Sequence, residues 1–138
     1  MFAEKMLPIP EGQTFGTWCT TWLQDIKSDL YSIIPNDGNA VRQRNERFAS
    51  YLPTISTLRY VYRGKIRLQI DLFNIENPKP ERGVTEHNAR RDSHTAELRY
   101  TLEYLEQLHG DVERRISVAQ SDLSFTRAEM QTASAMGG

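Results

Sequence analysis

The chain has 138 residues, of which 38% are hydrophobic and 25% charged, and its formal net charge is −1. This length suits a single domain, 1–138, and the supply of apolar residues is unlike that of a disordered chain. No apolar run approaches the ~18 residues that cross a membrane, and no secretion signal follows the start, so we expect an intracellular, cytoplasmic protein, or a virion protein if its origin is viral. The single cysteine, Cys19, excludes an intramolecular disulfide and a site with several cysteine ligands.

Charge is distributed in blocks along the chain. Residues 1–38 carry a net charge of −3, residues 39–91 carry +6, and residues 92–138 carry −4. The basic middle could bind an anionic partner. We favour pairing with the acidic C-terminal segment, because charge segregation between antiparallel helices is common.

The first segment, 1–13, is predicted to be an extended arm that reaches onto a neighbouring molecule. Proline blocks regular helix and glycine adds conformational freedom. The residues that favour the arm are Pro8, Pro10 and Gly12.

A helix is predicted over 14–34. Thr14 can act as its N-cap, and apolar residues recur at helical spacing until Pro35 stops the helix. Trp18 and Trp22 lie one turn apart on this helix and could anchor a partner, since buried tryptophan dominates many interfaces. A plain core role for the pair is the favoured alternative.

Residues 39–52 are predicted to form a weak, basic helix that ends at Pro53. The following segment alternates like a strand, so a β-hairpin over 58–73 and an α+β fold are an alternative. We favour a helix over 53–76, because an isolated hairpin is marginal in water and the downstream helix offers an antiparallel partner. Gly64 is the main evidence against that helix.

Two apolar stripes follow this central helix at three-four spacing, and both are compatible with one helix. The stripes are Leu58, Val61, Lys65, Leu68, Leu72 and Ile75, and Ile55, Tyr62, Ile66, Ile70 and Phe73.

A loop and helix start over 77–92 is predicted to lead into a long helix over 93–134. Its apolar positions alternate four and three apart, as in a heptad seam, and the phase passes through Gly110 unshifted, which favours a continuous or slightly kinked helix. The predicted seam residues are Leu98, Leu102, Leu105, His109, Val112, Ile116, Leu123 and Met130.

Such a helix would be roughly 60 Å long, whereas a compact globule of this length is about 35 to 40 Å across. The seam is therefore predicted to lie against other copies or a different partner. The expected fold is all-α, an elongated helical bundle or an antiparallel coiled-coil hairpin. His109 within the seam is predicted to set register or oligomer state and to make assembly depend on pH.

Catalytic and metal sites are not indicated. The chain has no nucleophile elbow, phosphate-binding loop or zinc-protease motif. His87 and His94 are seven residues apart, whereas helical metal ligands lie three or four apart. We therefore expect no enzyme activity, no metal or other cofactor and no small-molecule substrate.

Nucleic-acid binding is the main alternative to a protein-contact role. Six arginines of the basic segment 42–67 could contact phosphates, and tyrosines among them could stack on bases of a single strand. The arginines are Arg42, Arg44, Arg47, Arg59, Arg63 and Arg67.

The favoured function is a non-enzymatic structural protein that forms a homo-oligomer or docks into a multi-protein assembly. The combination of a Pro-x-Pro arm, a tryptophan-bearing helix, a long heptad and a Gly-Gly end resembles in general style the small accessory or connector proteins of bacteriophage particles. A recombination-accessory protein that binds single strands and an inhibitor that binds another protein are the alternatives.

Overall fold

A computed structural model describes the backbone of residues 4–136 and the side chains of residues 4–121. That part of the chain contains four α-helices and a short 3₁₀ helix and no strand, which confirms the predicted all-α fold class. The alternative of a β-hairpin over 58–73 is wrong, since these residues lie within one long helix. A helix satisfies its backbone hydrogen-bonding groups locally, whereas an isolated two-stranded hairpin is only marginally stable in water. The helices are α1 (Phe15–Leu30), α2 (Gly38–Glu76), α3 (Val84–His94) and α4 (Ala96–Met136).

The chain divides into two compact units. Unit 1 takes in the residues up to Pro8 together with Thr54–Leu108, and unit 2 takes in Ile9–Pro53 together with the residues from His109 on. Each unit is therefore built from two separate stretches of sequence. The interpretation of the chain as one domain stays a prediction.

Unit 1 contains the later part of α2, all of α3 and the first part of α4. Arg63 on α2 lies 3.5 Å from Glu106 on α4, and Gln69 further along α2 lies 3.2 Å from His94 at the end of α3. A later residue on α2 thus contacts an earlier residue of the α3–α4 segment, so α2 runs antiparallel to α3 and α4, as predicted. A coiled-coil geometry stays a prediction. The buried side chains of the unit are Leu7, Ile55, Leu58, Val61, Phe73, Thr95, Leu105 and Leu108.

The first described residues differ from the predicted extended arm over 1–13. Glu4–Met6 forms a 3₁₀ helix, and Leu7 is 7% exposed. The Glu4 carboxylate lies 3.4 Å from Lys65 Nζ on α2. Burial of an apolar side chain and an ion pair hold this segment against the rest of unit 1.

Helix α1 belongs to unit 2. It begins as predicted, because the Thr14 hydroxyl accepts a hydrogen bond from the Thr17 N–H at 3.3 Å. The predicted end at Ile34 is wrong, and the last helical residue is Leu30. Arg115 donates a hydrogen bond of 2.7 Å to the Leu30 carbonyl, and a cation at this end of a helix stabilises it.

The predicted break at Pro53 is wrong, since α2 (Gly38–Glu76) is one helix with that proline inside. A proline in a helix interior costs about 3 kcal/mol. Phe48, Ile55 and Leu58 on either side are each fully buried, and burial of one such side chain stabilises by about 1.5 to 3 kcal/mol. Packing on the two flanks therefore outweighs the proline.

The predicted long helix over 93–134 is interrupted at its beginning. Thr95 separates α3 from α4; it is fully buried, and its hydroxyl lies 3.4 Å from the Arg91 carbonyl. A threonine hydroxyl that bonds to the preceding turn competes with regular helix. Further on, α4 continues through Gly110, which confirms the predicted continuity there.

Candidate interaction surface

The predicted seam on α4 is covered by the chain itself at two of its described positions and in part at the others. Leu105 and Val112 are fully buried within one chain. Leu98, Leu102, His109 and Ile116 are half-buried, and the side chains of Leu123 and Met130 lie outside the described residues. A second copy is therefore not needed to cover Leu105 or Val112. The use of the seam as an oligomer contact stays a prediction.

His109 has a local partner. Its Nδ1 lies 2.8 Å from the Glu113 carboxylate one turn further along α4, and its side chain is 21% exposed. This contact lies within a single helix. The predicted influence of His109 on register and on the pH dependence of assembly stays a prediction.

The two tryptophans lie in unit 2. Trp18 is 6% exposed. Its ring stacks on Trp22 with centroids 5.7 Å apart, and the half-buried Trp22 meets the ring of Tyr51 on α2 edge-on at 6.2 Å. Trp18 is thus packed within its own chain, as the core alternative expected, and an anchor role for the pair stays a prediction.

Asp29 on α1 connects α1 to α2. Arg47 donates two hydrogen bonds to its carboxylate, at 2.6 and 2.7 Å, and Tyr51 donates a third at 2.6 Å. The hydrogen bond from Arg47 is the main reason why the pKa of Asp29 lies below its ordinary value. Burial and the hydrogen bond to Asp29 raise the pKa of Tyr51 to about 12.

Three of the six arginines of the basic segment are buried or paired within the chain. Arg44 is 3% exposed, Arg47 is bound to Asp29, and Arg63 pairs with Glu106 on α4. The pairing of Arg63 agrees with the favoured interpretation, in which the acidic helix neutralises the basic middle. Arg42, Arg44 and Arg47 belong to unit 2, and Arg59, Arg63 and Arg67 belong to unit 1.

The two histidines of α3 contact an aromatic ring and an amide group of α2. His87 and His94 lie 5.2 and 6.0 Å from the ring of Phe73, centroid to centroid, and His94 also contacts Gln69. Among the described residues, no three histidine, cysteine, aspartate or glutamate side chains are grouped as metal ligands would be. In the same part of the chain, no helix has both the length and the apolar character of a membrane span.

An exposed apolar stripe remains on α2, and we call Leu68, Leu72 and Ile75 the α2 stripe. These residues are 49%, 42% and 75% exposed. Their spacing of four and three places them on one face of the helix. Arg67 and Asp71 are exposed one turn apart along one edge of the stripe. An apolar strip with both signs of charge along its edge is the kind of surface that binds another helix.

Sequence reasoning identified the stripe residues but expected them to face a partner within the chain. Both stripes predicted on the central helix begin in the core, where Ile55, Leu58 and Val61 are buried. Towards the end of α2, Phe73 of one stripe is buried while Ile75 of the other is exposed. The sequence signal for an exposed apolar face was the presence of two stripes on one helix, since a single neighbouring helix covers only one face.

Comparisons with protein-family models, with curated proteins and with solved structures find no match for the chain.

Proposed function

We propose that this chain is a non-enzymatic interaction protein that pairs with a second copy of itself through the α2 stripe. The observation that carries the proposal is the exposure of three large apolar side chains on two consecutive turns of α2. Transfer of such side chains out of water is favourable in proportion to the apolar area buried. The α4 seam is not the basis of the proposal, because Leu105 and Val112 are buried in a single chain.

Charge complementarity favours a second copy as the occupant. In an antiparallel pair of α2 helices, Leu68 of one copy can lie against Leu72 of the other, and a two-fold axis repeats that contact. The same arrangement brings Arg67 of each copy close to Asp71 of the other. The edge of the stripe is therefore attractive to its own copy and needs no different partner.

The size of the stripe implies a weak dimer. Stable protein interfaces bury about 1,200 to 2,000 Å² in total, and three side chains per copy supply only part of that. Weak, symmetric contacts suit a component that becomes stable inside a larger assembly, as an accessory or connector protein of a bacteriophage particle would. Membership of such an assembly belongs to this proposal.

Leu72→Asp tests the proposal by particle mass. Sedimentation equilibrium of the wild-type chain should show a concentration-dependent rise from 15.9 kDa towards a dimer. Leu72→Asp should remain at the monomer mass, because it places a charge in the apolar contact. Ile33→Asp is the matched control, since Ile33 is 93% exposed and lies outside the stripe. A wild-type chain that stays monomeric, or a Leu72→Asp chain that still dimerises, would contradict the proposal.

A charge-exchange experiment tests the edge contact. Arg67→Asp and Asp71→Arg should each weaken the homodimer, because like charges then face each other. An equimolar mixture of the two variants should recover a heterodimer, because each variant complements the other. Pairing within one helix cannot produce recovery on mixing, so a mixture that stays monomeric would overturn the antiparallel arrangement.

A further inference from the structure

Two arginines from different helices of unit 2 meet at the C-terminus of α1. Arg115 on α4 donates a hydrogen bond of 2.7 Å to the Leu30 carbonyl. Arg44 on α2 reaches the same carbonyl at 3.4 Å and the Ser32 carbonyl at 3.5 Å. These two arginines line a pocket of about 400 Å³, which we call the arginine pocket.

The cations of the arginine pocket outnumber its anions. Arg114 also lines the pocket and pairs with Asp111 at 3.4 Å. Among the described side chains, no carboxylate forms an ion pair with Arg44 or Arg115, and Asp29 near the end of α1 is bound to Arg47. Two guanidinium groups therefore share one carbonyl, and the charge of Asp29 that acts on Arg44 is already hydrogen-bonded to Arg47.

Arg44 is the less satisfied of the two. It is 3% exposed, its two hydrogen bonds are long, and its buried Nε has no hydrogen-bond partner among the described atoms. Burial and the positive charge of Arg115 lower the pKa of Arg44. The Arg44 guanidinium lies 4.4 Å from the Phe48 ring centroid and feels the charge of Asp29, but no carboxylate is directly paired with it among the described side chains. A buried cation without a directly bonded anion is costly, so the arrangement favours an external anion. Capping of α1 alone explains the contact of Arg115 but leaves these groups of Arg44 unsatisfied.

The remaining wall of the pocket is apolar. Tyr31, Ile34 and Val118 line it and are 68%, 49% and 49% exposed. The Tyr31 ring lies 4.9 Å from the Arg115 guanidinium carbon, which positions an aromatic face beside the cation. The volume lies within the range of pockets that bind small organic groups. A ligand that fits carries an anionic group next to an apolar one.

We propose that the arginine pocket binds a carboxylate with an apolar group beside it, as presented by the C-terminal residue of a partner polypeptide. Arginine recognises the planar carboxylate through paired hydrogen bonds. A carboxylate is favoured over a phosphate because Asp111 lies in the wall and repels a doubly charged group more strongly. The site belongs to unit 2 and does not depend on pairing through the α2 stripe.

A titration with a matched pair of probes tests the role of charge. The isotope-labelled full chain is titrated at constant ionic strength with N-acetyl-leucyl-phenylalanine and with its C-terminal amide, and backbone amide shifts are followed by NMR. The acid should give saturable shifts at residues of the pocket, and the amide should bind at least about tenfold more weakly. Equal binding of acid and amide, or no saturable shift with the acid, would overturn the proposal.

Val118→Asp locates the site without disturbing the fold, because Val118 is half exposed on α4. The variant should bind the acid at least about tenfold more weakly than wild type. Gln120→Asp is the control, since it adds the same charge at an exposed position of the same helix outside the pocket. Thermal melting of both variants verifies the fold. Wild-type affinity in a folded Val118→Asp chain would place binding elsewhere.

Two further probes separate the sources of the anion. The dipeptide acid should bind more tightly than 4-phenylbutyrate, which offers a carboxylate without a peptide group. Tighter binding of 4-phenylbutyrate would assign the pocket to a free organic acid and overturn the polypeptide assignment. Tighter binding of phenyl phosphate than of either acid would overturn the choice of carboxylate.

Discussion

Asp29 is a residue on which several polar contacts between α1 and α2 converge. Its carboxylate accepts three hydrogen bonds, two from Arg47 and one from Tyr51. Because Arg47 is about half exposed, solvent screens the pair, and its contribution to folding is about 1 kcal/mol. That contribution requires an ionised carboxylate, so it depends on pH.

Asp29→Asn should remove the pH dependence of the stabilisation that Asp29 provides. The pKa of Asp29 is lower in the folded chain than in the unfolded one, so the stabilisation is present above the unfolded pKa, near 3.8, and is lost as pH falls through the folded pKa. Urea denaturation at pH 7 should show that the free energy of unfolding of Asp29→Asn is about 1 kcal/mol below that of wild type. Below pH 4 this difference in the free energy of unfolding should disappear. Asp25→Asn, at an exposed position of the same helix, is the control. A constant gap from pH 7 to pH 2 would contradict this account.

At the residue scale, only contacts between residues close together in the chain could be predicted from the sequence. The Thr14 cap could be predicted, because the hydroxyl and the N–H that it accepts from are three residues apart. The partners of Asp29 could not, because Arg47 and Tyr51 are 18 and 22 residues away and only the packing of α1 on α2 brings them close. The arginine pocket was missed for the same reason.

At the scale of single helices, two glycines with open surroundings should respond in opposite ways to alanine. A Cβ at Gly110 or at Gly83 would meet no atom within 4 Å. Gly110 lies inside α4, so Gly110→Ala should stabilise the chain by about 1 kcal/mol. Gly83 precedes α3 with φ of 79°, which alanine disfavours, so Gly83→Ala should destabilise by about 1 kcal/mol.

Chemical denaturation of the two glycine variants measures both effects. Opposite signs are expected because the surroundings are equally open and only the backbone conformation differs. A destabilised Gly110→Ala variant would indicate that α4 bends at this position in a way that a side chain opposes.

Helix existence was easier to predict from sequence than helix boundaries. The periodic apolar residues predicted α1, the second half of α2 and α4, because one-sided burial imposes that spacing. The break expected at Pro53 and the end expected at Ile34 failed, since buried side chains beside Pro53 and the hydrogen bond of Arg115 to Leu30 decide those positions. Thr95 carried no boundary signal of its own, and its burial is a tertiary effect.

At the scale of the whole molecule, the seam and the α2 stripe make different predictions. Leu105→Asp buries an unpaired charge at a fully buried position and should destabilise the fold by at least about 3 kcal/mol. Leu72→Asp should lower the melting temperature far less than Leu105→Asp while it lowers the particle mass, because a weak dimer adds little to stability. Thermal melting and mass measured on the same samples distinguish the two surfaces. A Leu105→Asp chain that melts like wild type and loses mass would instead identify the seam as an intermolecular contact.

The block pattern of charge was informative at this scale only in part. It anticipated pairs between the basic middle and the acidic C-terminal segment, such as Arg63 with Glu106. It did not separate Arg44, which is buried, from Arg67, which is exposed. Net charge over a long segment averages over both faces of a helix, so it does not reveal which cations reach solvent.

The discontinuous make-up of the two units has a consequence for biosynthesis. Neither unit is complete in a nascent chain that has only reached α3, because unit 1 needs residues up to Leu108 and unit 2 needs those from His109 on. The hydrogen bond from Arg115 to Leu30 spans 85 positions. The end of α1 at Leu30 therefore gains its Arg115 contact only after most of the chain has been synthesised. Until then unit 2 is incomplete, which exposes apolar surface to aggregation and makes chaperone protection valuable.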